Sequence, residues 1–217
     1  MVFKSKQNRV YRCRDVVIKQ HPGVEGAVAE AVNLRRLREA GVLVPEVLER
    51  RGNELVLAYI PGETIPDFLA RMEGTPRPGL MVEAADGLCT WFERFYRAVG
   101  YPKSGEIRGD VNGRNFILSP TSPSARRSEQ AGGISVVGVD FQERAFGAAE
   151  QDIGRLLAYV RTYDPPHTQV KRLFARLLWQ AVLERLNLSP MEIRGHYRRE
   201  RGAMGKRRGV PGRSLRK

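Results

Sequence analysis

The period of the apolar positions changes along the chain, and those changes outline its elements. Two short runs rich in β-branched residues, Val10-Tyr11-Arg12-Cys13 and Val16-Val17-Ile18-Lys19, flank Arg14-Asp15 and predict two strands joined by a tight turn. From Gly26 to Ala40 the apolar positions Val28, Ala31, Leu34 and Leu37 recur at threes, which predicts a helix, and Gly41 follows as a stop signal. The stretch Val42 to Val47 is strand-like but interrupted by Pro45. Glu54 to Ile60 reads as a buried strand ending at Pro61-Gly62. The order so far is strand, strand, helix, strand, strand.

Helices then dominate. Ile65 to Met72 is short, and Met81 to Val99 gathers Leu88, Trp91, Phe92, Phe95 and Val99 on one face, with a Pro- and Gly-rich link from Glu73 to Gly79 between them. Asn115–Leu118 and Ser135–Val139 read as a strand pair separated by a mobile loop from Ser119 to Gly133. Gln151 to Tyr163 and His167 to Leu188 read as two closing helices; Val170, Leu173, Phe174, Leu177, Leu178, Ala181 and Val182 give the second a broad apolar stripe for the core. The pattern is α+β, without an internal repeat.

Composition sharpens this only in places. With 217 residues, 41% of them hydrophobic, the chain suits one good-sized domain or two lobes sharing an interface. Lys and Arg number 37 against 24 Asp and Glu, an excess that attracts anions such as nucleotides, nucleic acid or acidic proteins. Much of it follows Ile193, where Arg194, Arg198, Arg199, Lys206, Arg207, Arg208, Arg213, Arg216 and Lys217 face Glu200 alone, so residues 194–217 read as a flexible basic tail. Cys13 and Cys89 suggest neither a disulfide framework nor a thiolate metal site, and a reducing cytoplasm fits best. Neither a signal core nor a membrane-spanning apolar run is present, so no membrane association is expected.

The candidate chemistry is that of phosphoryl transfer, which asks a protein to position nucleotide, metal and acceptor and to neutralise charge. Lys19 ends an apolar strand, where a cation can touch phosphates, and Glu30 lies on the following helix at a distance suited to pairing with it. The stronger signal is Arg108-Gly109-Asp110-Val111-Asn112-Gly113-Arg114-Asn115, a polar loop running into the apolar Phe116-Ile117-Leu118. Its D-x-x-x-x-N spacing lets Asp110 face an acceptor hydroxyl while the Asn115 side chain turns back to a metal. A second carboxylate, Asp140, follows the strand Val136-Val137-Gly138-Val139 and can hold metal between phosphates. Asp152 reads either as a plain cap of a helix beginning at Ile153 or as a brace for the catalytic loop, the cap being the simpler assignment.

In this order, Lys, Glu, Asp-Asn, Asp, the residues from Val10 to Val160 resemble the protein-kinase-like superfamily, which includes aminoglycoside and choline phosphotransferases. The resemblance implies a two-lobed fold: a small, mainly β N-terminal lobe over residues 1–62 and a reduced helical lobe over 63–193 carrying the catalytic and metal loops. It also implies ATP and Mg2+ as cofactors. Lys19 would then sit on the phosphates with Glu30 as its partner, Asp110 as catalytic base, and Asn115 and Asp140 on magnesium. The backbone of Leu57, Ala58, Tyr59 and Ile60 would meet adenine. Within the superfamily the compact length, the Gly-Asp-x-x-x-x-Asn loop and the basic tail are most similar to the small atypical kinase of the KEOPS tRNA-modification complex. That likeness implies a protein partner or tRNA for the tail.

Three departures separate the chain from the common pattern. No glycine occurs between Phe3 and Asn8, where a phosphate loop would lie; Arg108 stands where His is usual; and the metal motif reads Asp140-Phe141-Gln142 rather than ending in Gly, as in small-molecule phosphotransferases. Gln142 to Glu150 is too short for an activation loop. The expected function is an ATP- and Mg2+-dependent phosphotransferase, such as a Ser/Thr protein kinase or the ATPase of an RNA-modification complex. The alternatives are a kinase-like pseudoenzyme that binds RNA or protein, and a small-molecule kinase of the aminoglycoside phosphotransferase type.

Overall fold

The computed structural model describes residues 2–3, 8–120 and 133–207. β1 (Val2–Phe3), β2 (Arg9–Cys13), β3 (Val16–Gln20), β4 (Val47–Arg51) and β5 (Glu54–Ala58) form one antiparallel sheet in the order β1-β2-β3-β5-β4. The β2–β3 hairpin has the register expected of its alternation, Val10 opposite Lys19 and Cys13 opposite Val16, and its turn places Arg14 at φ +53°. Helix α1 (Val24–Glu39) packs its Ala27, Ala31, Leu34 and Leu37 face inward, and Gly41, at φ +82°, carries the chain out of it.

The strand expected around Val42–Val47 lies further on, at Val47–Arg51. Pro45 removes a donor from the earlier stretch, while Glu49, Arg50 and Arg51 suit an exposed edge. The next strand stops at Ala58, two residues short of Ile60.

A second sheet of three strands, β6 (Glu63–Thr64), β8 (Phe116–Pro120) and β9 (Ile134–Gly138), and a two-stranded ladder of β7 (Glu106–Ile107) with β10 (Ala145–Phe146) lie among the helices. α2 (Ile65–Gly74) starts where Thr64 Oγ accepts from Asp67 N, with Pro66 in the first turn. α3 runs over Pro78–Ala98, three residues earlier than its apolar face suggests, because Pro78 is well placed to open a helix. α4 (Ala149–Thr162) and α5 (Gln169–Arg185) follow, α5 capped by Thr168. The span expected as a loop from Ser119 to Gly133 yields Ser119 and Pro120 to β8, and residues 121–132 lie outside the described set.

The largest correction concerns the tail. Its first part is α6 (Pro190–Arg207), a helix laid along α4 with Ile193 and Met204 buried. Gly154 makes this close approach feasible: a Cβ there would stand 2.7 Å from the Ile193 carbonyl and 2.8 Å from Tyr197 N. Residues 208–217 of the expected tail lie outside the described set.

The core is aromatic where the two sheets meet the helices. Trp91 stacks on Phe95 at 5.3 Å and meets Phe116 edge-on at 5.2 Å, while Phe141 reaches both α3 rings. The Leu43 carbonyl, between α1 and β4, accepts from Trp91 Nε1 at 2.9 Å and from Gly138 N at 3.0 Å. It ties the hairpin sheet and α1 to the helical part. Among the described residues no helix is long and apolar enough to cross a membrane.

Candidate active site

Lys19 lies on β3, opposite Val10 on one side and Leu55 on the other, and is buried. A buried ammonium needs partners. It has two carboxylates: Glu30 of α1, at 2.7 Å to Oε2 and 2.9 Å to Oε1, and Asp140, at 2.5 Å to Oδ1. Two carboxylates up to 121 positions away thus converge on one cation; the Lys19–Glu30 pair is the one expected from the sequence, whereas the contact of Asp140 with Lys19 is not.

Glu30 does more than balance Lys19. Its Oε1 accepts from Phe141 N at 3.3 Å, and the buried His21 brings Nε2 within 3.1 Å of its Oε2. Burial pushes the Glu30 carboxyl up, but the His21 contact and the charge and hydrogen bond of Lys19 outweigh it, and the net displacement is downward from 4.5. His21 was not foreseen: a lone histidine after a strand carries no pattern. One turn along α1, Asn33 Nδ2 donates to the Phe141 carbonyl at 2.9 Å, so α1 holds Phe141 by both its backbone groups.

Asp140 itself sits at φ +67°, a region Asp tolerates better than most residues. The longer side chain at 108 helps to hold it there. Arg108 Nη2 donates to the carbonyls of Val139 at 2.7 Å and Asp140 at 2.8 Å, and its guanidinium lies 4.2 Å from the Phe141 ring centroid. Burial lowers its pKa, opposed by Asp110, Asp140, Asp152 and Glu30. The Asp140 side chain is 44% exposed, against 7% for that of Lys19.

The catalytic-loop candidates stand beside this cluster. Asp110 is exposed, and its Oδ1 accepts from Asn112 N at 3.2 Å. Asn115 Nδ2 donates to the Asp110 carbonyl at 3.3 Å, which leaves the Asn115 side-chain oxygen for another partner. Asn115 is brought next to Asp140 by the β8–β9 pairing, since Val139 N donates to the Asn115 carbonyl at 2.9 Å. A carboxylate and an amide oxygen are hard donors of the kind Mg2+ takes, its remaining positions being commonly filled by water and phosphates. Asp110 makes no direct contact with Lys19, Glu30 or the Asp140 side chain; the loop alone relates it to them.

Below the loop lies Asp152, and here the simpler expectation fails. α4 begins at Ala149, not Ile153, so Asp152 lies inside the first turn rather than capping it. It is a brace: Oδ2 accepts from Arg108 N at 2.7 Å and Tyr96 Oη at 3.0 Å, and Oδ1 from Gly109 N at 2.9 Å. Burial raises its carboxyl pKa, with these donors pulling it back. Gly109 is required, at φ +74° with a would-be Cβ 2.4 Å from Ala145 Cβ. Farther along, Tyr163 Oη accepts from Gly113 N at 2.7 Å and donates to Asn112 Oδ1 at 3.0 Å.

Gln142, the residue in place of a glycine, accepts from Asn8 Nδ2 at 3.3 Å and so links the base of the β1–β2 connection to the metal loop. Lys4 to Gln7, within the glycine-free stretch, lie outside the described residues. At the expected adenine edge, Leu57 is laddered between Val17 and Val47, Ala58 N donates to the Glu46 carbonyl, and Tyr59 N donates to the Asp15 carbonyl. Leu57, Ala58 and Tyr59 are therefore engaged within the protein. The Arg12 guanidinium covers the Tyr59 ring at 3.5 Å.

No protein-family model matches the sequence, and no curated protein does. Among solved structures, a choline/ethanolamine kinase family protein from Mesorhizobium loti is similar, at 17% identity over 94% of this chain and 87% of that one, with a TM-score of 0.47.

Proposed function

We propose that this chain is an ATP- and Mg2+-dependent phosphotransferase with a protein-kinase-like fold, acting on a small hydroxyl-bearing acceptor. The observation that carries the reading is the joining of Lys19 to both Glu30 and Asp140, with Asn115 and Asp110 on the adjoining loop. A solvated lysine at a strand end gains nothing from such an arrangement; a cation that must meet phosphates in one position does.

In this reading Lys19 neutralises phosphate charge and Glu30, fixed by His21 and Phe141 N, keeps it from turning away. Asp110 accepts the proton of the acceptor hydroxyl as its oxygen attacks in line, and its exposure leaves it open to that partner. Asn115 and Asp140 would hold Mg2+, which supplies charge neutralisation between phosphates when bound. Arg108 and Asp152 hold the backbone of the two loops in register.

The small acceptor is favoured over a protein by the segment after the metal loop. Eight residues separate Asp140 from α4 at Ala149, and two of them are taken up by β10 against β7, which leaves no strand-length platform for a peptide. α6 also enlarges the helical part beyond what the sequence suggests. The tRNA-complex kinase reading remains an alternative acceptor assignment. A kinase-like binding module is the second reading, favoured by the lack of glycine between Phe3 and Asn8.

The test is Mg2+-dependent ATP turnover with panels of amino alcohols, aminoglycosides, peptides and tRNA. Acceptor-stimulated turnover abolished by Lys19→Ala supports the proposal. No turnover on any acceptor, with or without saturable MgATP binding, overturns the phosphotransferase reading, and binding of tRNA or peptide in that case favours the binding module.

A further inference from the structure

Glu106 plays no part in the chemistry just described, yet it is a nearly buried carboxylate that two arginines bind. Its side chain is 3% exposed. Arg36 binds it in a fork, Nη1 to Oε2 at 3.0 Å and Nη2 to Oε1 at 2.5 Å, and Arg144 Nη2 donates to Oε2 at 2.5 Å. Paired charge-assisted bonds of this kind are strong and geometrically selective, and a buried carboxylate is sustained only by them.

The three residues come from three elements that must be in register for phosphoryl transfer. Arg36 lies on α1, three and six residues after Asn33 and Glu30, so all three share one helix face. Glu106 lies on β7, two residues before Arg108 and four before Asp110. Arg144 lies four residues after Asp140, entering β10, and the ladder pairs Phe146 with Glu106. In phosphorylation-controlled enzymes, comparable elements are ordered when an added phosphate recruits arginines. Here an encoded carboxylate occupies the meeting point.

We infer that Glu106 is a positioning residue: it clamps α1 to the strand leading into the catalytic loop, and so keeps Glu30 directed at Lys19 without any modification of the chain. This rests on the phosphotransferase reading for its effect on nucleotide, but not for its effect on α1. In Glu106→Gln, hydrogen–deuterium exchange of α1 amides should accelerate by about ten-fold while α3 and α5 are unchanged, as expected for losing one charged partner. The KM for MgATP should rise by about the same factor, with kcat changed less. Arg36→Gln, altered at a side chain 38% exposed and thus tolerant of solvation, should reproduce both effects if Glu106→Gln folds poorly.

Unchanged α1 exchange in Arg36→Gln and Glu106→Gln overturns the inference, as does acceleration spread evenly over α1, α3 and α5, which marks a purely structural role. A wild-type chain that binds no MgATP defeats the phosphotransferase reading instead, and the exchange of α1 still decides the clamp.

Discussion

Asp152 offers a sharp test, because its two readings differ in magnitude. If it merely capped a helix, Asp152→Asn would cost at most a few tenths of a kcal/mol, since Asn caps as well as Asp. In the structure the carboxylate receives three donors, Arg108 N and Tyr96 Oη on one oxygen and Gly109 N on the other, with no exposed surface. An amide has one oxygen. Turned toward Arg108 N and Tyr96, it sets its own N–H2 against Gly109 N and strands a buried donor. That costs about 2 kcal/mol, which in a chain of this size lowers Tm by about 4–8 °C. Thermal unfolding followed by circular dichroism, with turnover measured well below the transition, reads both consequences. Turnover should fall as well, because Gly109 adjoins Asp110. A Tm within about 1 °C of wild type, the scale of a cap exchange, would refute the brace.

Other outcomes follow from the same geometry. Asp110→Asn should leave MgATP-induced stabilisation intact while lowering turnover by about 10²–10⁴-fold, and surviving turnover would require another base. Asp140→Ala should abolish the Mg2+-dependent part of ATP-induced stabilisation; equal shifts in wild type and variant would remove Asp140 from the metal site. Glu30 and Glu106 both have carboxyls held below 4.5, Glu106 by Arg36 and Arg144 against the opposing effect of burial. Their stability contribution is therefore complete above 4.5 and is lost as pH falls through their lowered values, so the urea midpoint should drop below about pH 4.5, less steeply in Glu106→Gln. Asp152, displaced upward, acts in the opposite sense. Gly154→Val should destabilise by about 1–3 kcal/mol, measured by urea unfolding, because the new side chain meets the α6 backbone rather than a movable side chain.

What the sequence discloses about this site is what chemistry confines to short stretches. Lys19 at a strand end, the Asp110–Asn115 spacing and Asp140 after a strand are local patterns, and with Glu30 they fall where the structure brings them together or side by side. The supports are another matter. Asn33, Arg36, Glu106 and Arg144 look like solvated polar residues, and their partners lie up to 108 positions away, so no window of sequence relates them. α6 escapes for a different reason: among the described residues Ile193 and Met204 are its buried apolar side chains, and arginines on the remaining turns mask so thin a stripe. β4 is likewise an edge strand whose charges hide its pairing. Arg108 and Gln142, which look like losses against the common kinase pattern, each make a long-range contact: one donates to the Asp140 carbonyl, the other accepts from Asn8.

The Leu43 carbonyl has a mechanical meaning. It is a shared anchor, receiving Trp91 Nε1 and Gly138 N while its own side chain is partly exposed. The two donors come from α3 and the end of β9, so one backbone oxygen fastens the α1–β4 connection to both. Because the anchor is a backbone oxygen, replacing Leu43 with another residue leaves it in place. A scan of side chains along this connection would pass over position 43 and register the joint only at Trp91.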